Sequence, residues 1–359
     1  MCNVRRAGQP SRSIFCIIPP DILIAISKNG TPEQRAWALD TLSVDQSIRQ
    51  FRATNASVIM QRRALPAMSV MPPVEQRTVY SAKHSHQLPG SVARSEGAPA
   101  SADVSVNEAY DGLGATFDFY LQAYNRNSID DAGLPINATV HFGNNYDNAF
   151  WNGQQMVFGD GDGKLFNRFT VSLDVIGHEL THGVTEHEAG LAYSGQSGAL
   201  NESISDVFGS LIKQHKNKQT VVEADWLIGA GLLAPGVKGV ALRSMKAPGT
   251  AYDDPVLGKD PQPANMGGYV HTLSDNGGVH TNSGIPNHAF YLAAVAIGGN
   301  AWDEAGRIWY DALSDPRLKP NANFRTFAKL TSSIADKLLG AGSPKASAVR
   351  EAWHKVGVL

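Results

Sequence analysis

Residues Leu173 to Glu188 read LDVIGHELTHGVTEHE, and Asn201 to Asp206 read NESISD. Both fall in stretches that read as helices, Leu173 to Glu188 and Leu200 to Lys213. His178 and His182 are four positions apart, so both imidazoles lie on one helical face and can reach a single metal ion. Glu179, beside the first of them, can reach a water at that metal without being a ligand. Alone, this HExxH pattern is only moderately specific, because composition produces a chance match in roughly one chain of this length in a hundred. The second stretch sharpens it. Glu202 stands twenty positions past His182, and Asp206 four further on. One of these carboxylates can complete a three-ligand zinc site with an open position. The other can accept the outer N–H of a ligand histidine and fix its tautomer.

Downstream, Asp275-Asn276-Gly277-Gly278-Val279-His280 places a carboxylate five residues before a histidine. Such a carboxylate can hold the imidazole protonated, making it a donor to a developing oxyanion. His288 to Ile297, Trp302 to Leu313, Asn323 to Leu339 and Ser347 to Val356 read as further helices. Upstream, Arg77 to Phe169 is strand-rich. Thr139 to Phe142 alternates, and Asn148–Trp151 and Met156–Phe158 are short apolar strands joined through Asn152-Gly153. Asn107 to Asn125 is the helical exception there. Gly159-Asp160-Gly161-Asp162-Gly163 carries carboxylates but not the rest of a calcium-loop pattern, so it reads as a turn.

The chain has 359 residues, 42% of them hydrophobic, enough for two lobes and additional segments. A formal charge of −2 gives no reason to expect nucleic acid as a partner. The longest uncharged apolar stretch, Ala289 to Asn300, is too short to span a bilayer. The run Ile14 to Pro20 follows Arg5 and Arg6 but lacks a small-residue cleavage site, so it is a poor secretory signal. Cys2 and Cys16 both lie near the N-terminus, so a disulfide cannot staple the main body. Pro20 to Arg52 reads as a small helical segment broken at Asn29-Gly30. Arg52 to Gln76, with Pro66, Pro72 and Pro73, reads as an exposed linker.

From Arg77 to Leu359 the sequence resembles the thermolysin family of zinc metallopeptidases. The matching segments are Asn107 to Tyr120, Asn148 to Gly163, His178 to His182, Ala189-Gly190-Leu191, Tyr193, Gly198 to Asp206, Leu242 to Met245 and Asp275 to Gly284. Ile17-Ile18-Pro19-Pro20 and the short helical region after it resemble the propeptide of the protealysin-like branch, with Asp21 where that branch usually has an aromatic.

The resemblance implies an α+β, two-lobe metallopeptidase: a β-rich N-terminal lobe, an α-helical C-terminal lobe and the zinc site in the cleft. It divides the chain into an inhibitory propeptide-like segment (1–52), a linker with processing sites (53–76) and catalytic lobes at 77–190 and 191–359. It implies one catalytic zinc on His178, His182 and Glu202, with Glu179 as the base. Asp206 would support His178, and Asn201 would support His182. Tyr193 and His280 would be oxyanion donors, with Asp275 orienting His280. Asn148, Ala149 and Arg243 would hold the substrate backbone. Phe166, Val175 and Leu242 would line an apolar pocket for a bulky side chain after the scissile bond. The family's double calcium site is expected to be lost, because Lys213, Leu227 and Ala230 replace carboxylates while Asp174 and Asp225 remain. An ion pair between Lys213 and Asp174 is expected in its place.

Expected partners are polypeptide substrates, the chain's own propeptide as an intramolecular inhibitor, and a protein inhibitor. Self-cleavage is expected between about Arg49 and Gln76, at bonds such as Gln50–Phe51, Ser57–Val58 and Ala64–Leu65. Secretion follows from the resemblance, and a cytoplasmic location is the alternative. A catalytically dead scaffold would have no need of Glu179, Tyr193 and His280. A serine hydrolase would need a Gly-x-Ser-x-Gly elbow, which is absent.

Overall fold

A reciprocal cap starts the long N-terminal helix. The Thr31 hydroxyl accepts from the Gln34 N–H at 3.3 Å, and Gln34 Oε1 accepts from the Thr31 N–H at 2.8 Å. Two of the donors that every helix start leaves open are thereby satisfied. The computed structural model describes residues 15–63 and 73–359, with side chains over 16–48 and 73–359. Before the cap stand β1 (Phe15–Cys16) and α1 (Pro20–Asn29), and after it α2 (Pro32–Arg63). The break at Asn29-Gly30 is where the sequence places it. The linker expected from Arg52 is helical as far as Arg63. That span has no proline or glycine, and its Ala, Met, Gln and Arg residues favour helix without any apolar period. Cys2 and the Ala64–Leu65 bond lie outside the described residues, as do the side chains at Gln50–Phe51 and Ser57–Val58.

Next come β2 (Arg77–Ser81), β3 (Ser91–Ser95), α3 (Val104–Tyr124), β4 (Ile136–Val140), β5 (Ala149–Trp151) and β6 (Met156–Phe158). The sheet order is β1-β5-β6-β4-β2-β3, with β2, β4 and β6 parallel and β5–β6 an antiparallel hairpin. Asn152 Oδ1 accepts the N–H groups of Gln154 and Gln155 at 2.9 Å, and Gly153 takes φ 94°, which closes that hairpin. β4 stops at Val140, short of the expected Phe142, because His141 turns to φ 55°. Asp103 caps α3 by accepting from Ser105 and Val106, and α3 packs under β2 and β4.

The helical lobe follows α4 (Leu173–His187): α5 (Gly195–Asn217), short strands β7 (Leu227–Ile228) and β8 (Arg243–Ser244), then α6 (Asp275–Asn282), α7 (Gly284–Ile297), α8 (Glu304–Leu313), α9 (Phe324–Leu339) and α10 (Pro344–Lys355). The expected helices are present, α5 longer at both ends than Leu200 to Lys213. A β-rich N-terminal lobe thus meets a helical C-terminal lobe across α4. Close approach of α4 and α5 requires glycine. A Cβ on Gly209 would sit 2.4 Å from the Asp174 carbonyl oxygen, and one on Gly177 would sit 2.7 Å from Ile212 Cδ1.

Candidate active site

Helix periodicity brings His178 and His182 to one face of α4, and Glu202 and Asp206 to the facing side of α5. His178 Nδ1 lies 2.8 Å from Asp206 Oδ1, and His182 Nδ1 lies 2.7 Å from Asn201 Oδ1 and 3.0 Å from Ser205 Oγ. Asn201 Nδ2 donates to the Leu191 carbonyl, which leaves its Oδ1 to accept from the histidine. Both Nδ1 protons are therefore committed, and both Nε2 atoms present lone pairs. Those two nitrogens are 3.0 Å apart. Glu202 completes the group, 3.5 Å from His178 Nε2 and 3.4 Å from His182 Nε2. All three residues are buried. Burial, then the neighbouring His178, hold the His182 pKa well below its ordinary value, so it is in its neutral, ligating form. Converging lone pairs in a dry site repel unless a cation lies between them. Two nitrogens and one carboxylate oxygen, backed by a carboxylate on one histidine, suit zinc.

Glu179 is fully buried on the same helix. Its Oε2 accepts the Trp151 N–H at 3.0 Å, while Oε1 has no hydrogen-bond partner among the described residues. Burial, and next the Glu202 carboxylate, push its pKa well above the usual range. Tyr193 O–H donates to Glu202 Oε1 and lies 3.2 Å from His280 Nε2. Asp275 holds His280 twice, Oδ1 at 2.7 Å from Nδ1 and Oδ2 at 2.8 Å from the backbone N. Burial pulls the His280 imidazolium down, but Asp275 and Glu202 outweigh it and raise the pKa to about 9.

Arg243 lies against Asp206 in a fork, Nε and Nη2 each 2.8 Å from a carboxylate oxygen. Burial would raise the Asp206 pKa, but Arg243 and then His178 hold it below the usual carboxylate range. The N-terminal segment fills the cleft they border. His280 Nε2 is 2.9 Å from the Cys16 carbonyl, and Arg243 Nη1 donates to the Ile17 carbonyl at 3.2 Å. Ile17 N–H donates to the Ala149 carbonyl at 3.2 Å, and Ile18 N–H to Asn148 Oδ1 at 3.0 Å. Cys16 is a buried thiol outside the group formed by His178, His182 and Glu202. Phe166, Val175 and Leu242 are buried in the same apolar cluster as Ile17 and Ile18. Leu242 also lines a cavity of about 230 Å³ with Asp21, Ile22, Arg243, Tyr252 and His280. Phe166 and Val175 are not on its wall.

Four contacts escape sequence reasoning. Ser205 is a second partner of His182. Asn287 Nδ2 donates to Asp206 at 2.8 Å from eighty-one residues away. The Trp151 amide is a backbone group with no side-chain signature. Asp45, on α2, accepts from Tyr146 O–H and from Asn148 Nδ2. Only Asp45 left a trace: it stands four after Thr41, whose hydroxyl accepts the Asp147 N–H, on one helical face.

A family model described as thermolysin metallopeptidase, catalytic domain, matches residues 38–186, and one described as its alpha-helical domain matches 189–358. The chain is 55% identical over 348 residues to an extracellular metalloprotease of Pectobacterium carotovorum subsp. carotovorum, covering 97% of each. It is 50% identical over 344 residues to protease PrtS of Photorhabdus sp., covering 95% of this chain and 91% of that one. Among solved structures it is similar to the precursor of protealysin, a metalloproteinase from Serratia proteamaculans. The identity is 54%, the coverage 96% of this chain and 100% of that one, and the TM-score 0.87.

Proposed function

The chain belongs to the thermolysin family of metallopeptidases and is a metalloendopeptidase, and on that premise we propose how its own residues share the reaction. His178, His182 and Glu202 hold one catalytic zinc. When bound, zinc supplies a Lewis acid that brings the pKa of a water to about 7. Glu179 takes the proton of the attacking water through Oε1 and hands it to the departing amine nitrogen. Tyr193 O–H and the protonated Nε2 of His280 donate to the developing oxyanion, with Asp275 fixing the imidazole. Arg243 receives the carbonyl after the scissile bond. Ala149 and Asn148 hold an extended polypeptide by its backbone. Phe166, Val175 and Leu242 accept a bulky apolar side chain after the cut.

One observation carries this reading: the Nε2 atoms of His178 and His182 and the Glu202 carboxylate converge in one buried group, beside a buried Glu179 oxygen that has no hydrogen-bond partner among the described residues. Glu179→Ala should keep its zinc and lose about a hundred- to ten-thousandfold in peptide hydrolysis. Metal analysis beside a casein assay tests it. A variant with substantial turnover removes Glu179 from the role.

The same reading makes residues 1–52 an inhibitory propeptide, 53–76 the stretch that is cut, and 77–190 and 191–359 the two catalytic lobes. The backbone of the N-terminal segment occupies donors and acceptors that a substrate backbone would use: the Ala149 carbonyl and the side chains of Asn148, Arg243 and His280. Relatives named as extracellular proteases support secretion, and no described helix is long and apolar enough to cross a membrane.

A further inference from the structure

We propose that His84, His141 and Asp160 form a second site for a divalent transition ion, zinc by its donor set, at the end of the N-terminal sheet. One ligand atom from each residue lies within 4.8 Å of the others. Asp160 Oδ2 is 3.4 Å from His84 Nδ1 and 2.9 Å from His141 Nδ1. Ligands of a tetrahedral zinc at about 2.1 Å stand about 3.4 Å apart, so small adjustments suffice.

The topology builds this group. Strands β2, β4 and β6 run parallel as neighbours, and each delivers one ligand just past its C-terminal end. Backbone bonds continue beyond the strands and fix the loops together. His84 N–H donates to the His141 carbonyl at 2.8 Å, and Phe142 N–H to the Phe158 carbonyl at 3.1 Å. Both histidines take left-handed backbone, φ 61° and 55°, which is uncommon outside glycine and turns their side chains away from the strand direction.

The outer nitrogen of His141 is also provided for. Its Nε2 lies 2.7 Å from Asp103 Oδ2, the carboxylate–histidine arrangement that orients metal ligands and raises their basicity. Asp103 in turn is fixed by capping α3 through its other oxygen. In the metal-free protein the hydrogen bond to Asp160 raises the His141 pKa, burial opposes it, and Asp103 adds to reach about 9. A zinc ion would take the place of the Nδ1 proton. With three ligands and an exposed His84, this site fills after the buried centre.

Metal content of the full chain, measured across a zinc-buffered series, tests the proposal. Wild type should hold two equivalents. His84→Ala, an exposed change, should hold one and keep peptide hydrolysis. Asp103→Asn preserves the helix cap and should weaken the second equivalent about ten- to a hundredfold while sparing the first. Zinc beyond the first equivalent should raise the unfolding temperature of wild type and not of His84→Ala. One equivalent at saturating zinc means an imidazolium bridge only and overturns the site. So does a second equivalent that both His84→Ala and Asp160→Asn retain.

Discussion

Lys213 Nζ lies 2.7 Å from Asp174 Oδ2, joining α5 to α4 about one helical turn before His178. Asp225 Oδ1 at 2.8 Å and the Leu227 carbonyl at 2.8 Å complete the shell of the ammonium. Burial lowers the Lys213 pKa, but Asp174 and Asp225 outweigh it and leave it raised and charged. Asp174 is fully buried and also accepts from Ser172 O–H and Gly229 N–H. The ammonium expected beside Asp174 is thus present, held between the carboxylates of Asp174 and Asp225.

Lys213→Ala should therefore destabilise the enzyme by about 3 kcal/mol, the low end for stranding one partner of a buried pair, because Asp174 keeps two donors. Denaturant titration measures it. Wild-type unfolding temperature should not change with added calcium, since the site already holds its positive charge. A steep calcium dependence would reject the substitution of lysine for the ion.

Self-cleavage predicts that active enzyme begins between about Arg49 and Gln76. N-terminal sequencing of purified active protein decides it, and an active form still starting at Met1 contradicts it. Glu179→Ala should accumulate uncut unless wild-type enzyme is added.

If residues 1–52 act as the propeptide proposed above, Asp21 should make latency respond to pH. Burial pushes its carboxyl up, Asp275 adds to that, and His280 opposes. A raised folded value means that docking favours the neutral acid. Docking is therefore firmest below the ordinary carboxylate range and loosens as pH rises through the raised value. Asp21→Asn, permanently neutral, should be processed more slowly than wild type at neutral pH and equally fast in acid. Taking the ratio of the two rates at each pH cancels the enzyme's own pH profile. Equal rates throughout would remove Asp21 from this role.

Gly209→Ala tests how tightly the zinc helices must approach. The added Cβ would meet the Asp174 carbonyl at 2.4 Å and the His178 backbone nitrogen at 3.0 Å. Neither is a flexible end, so α5 must move with Glu202 and Asp206. Expected are a loss of about 1–3 kcal/mol and weaker zinc retention against a chelator. Wild-type retention in this variant would show that the pair of helices has slack.

What was legible in the sequence is what has a period or a fixed local spacing. The helices α4 and α5 follow from their apolar rhythm and from His178, His182, Glu202 and Asp206. The Lys213–Asp174 pair follows once those helices are set side by side. The strand β1 was not legible, because two residues have no alternation to read. Its place depends on pairing with Phe150 and Trp151, far along the chain. Asn287 and Asp45 were missed for the same reason, since each acts on a residue more than eighty positions away. The helical span to Arg63 has good helix formers but no patterned face, so its sequence reads as linker.

The short strand in the cleft has a consequence for how the enzyme turns on. While the chain is continuous, β1 meets β5 as a tethered neighbour, at an effective concentration on the order of millimolar. Cutting between Arg49 and Gln76 removes none of the contacts made by Cys16, Ile17 and Ile18. It only releases the tether. On the proposed propeptide reading, latency after such a cut would depend on how far the two pieces are diluted, so a cleaved enzyme should stay quiet where crowded and awaken on spreading.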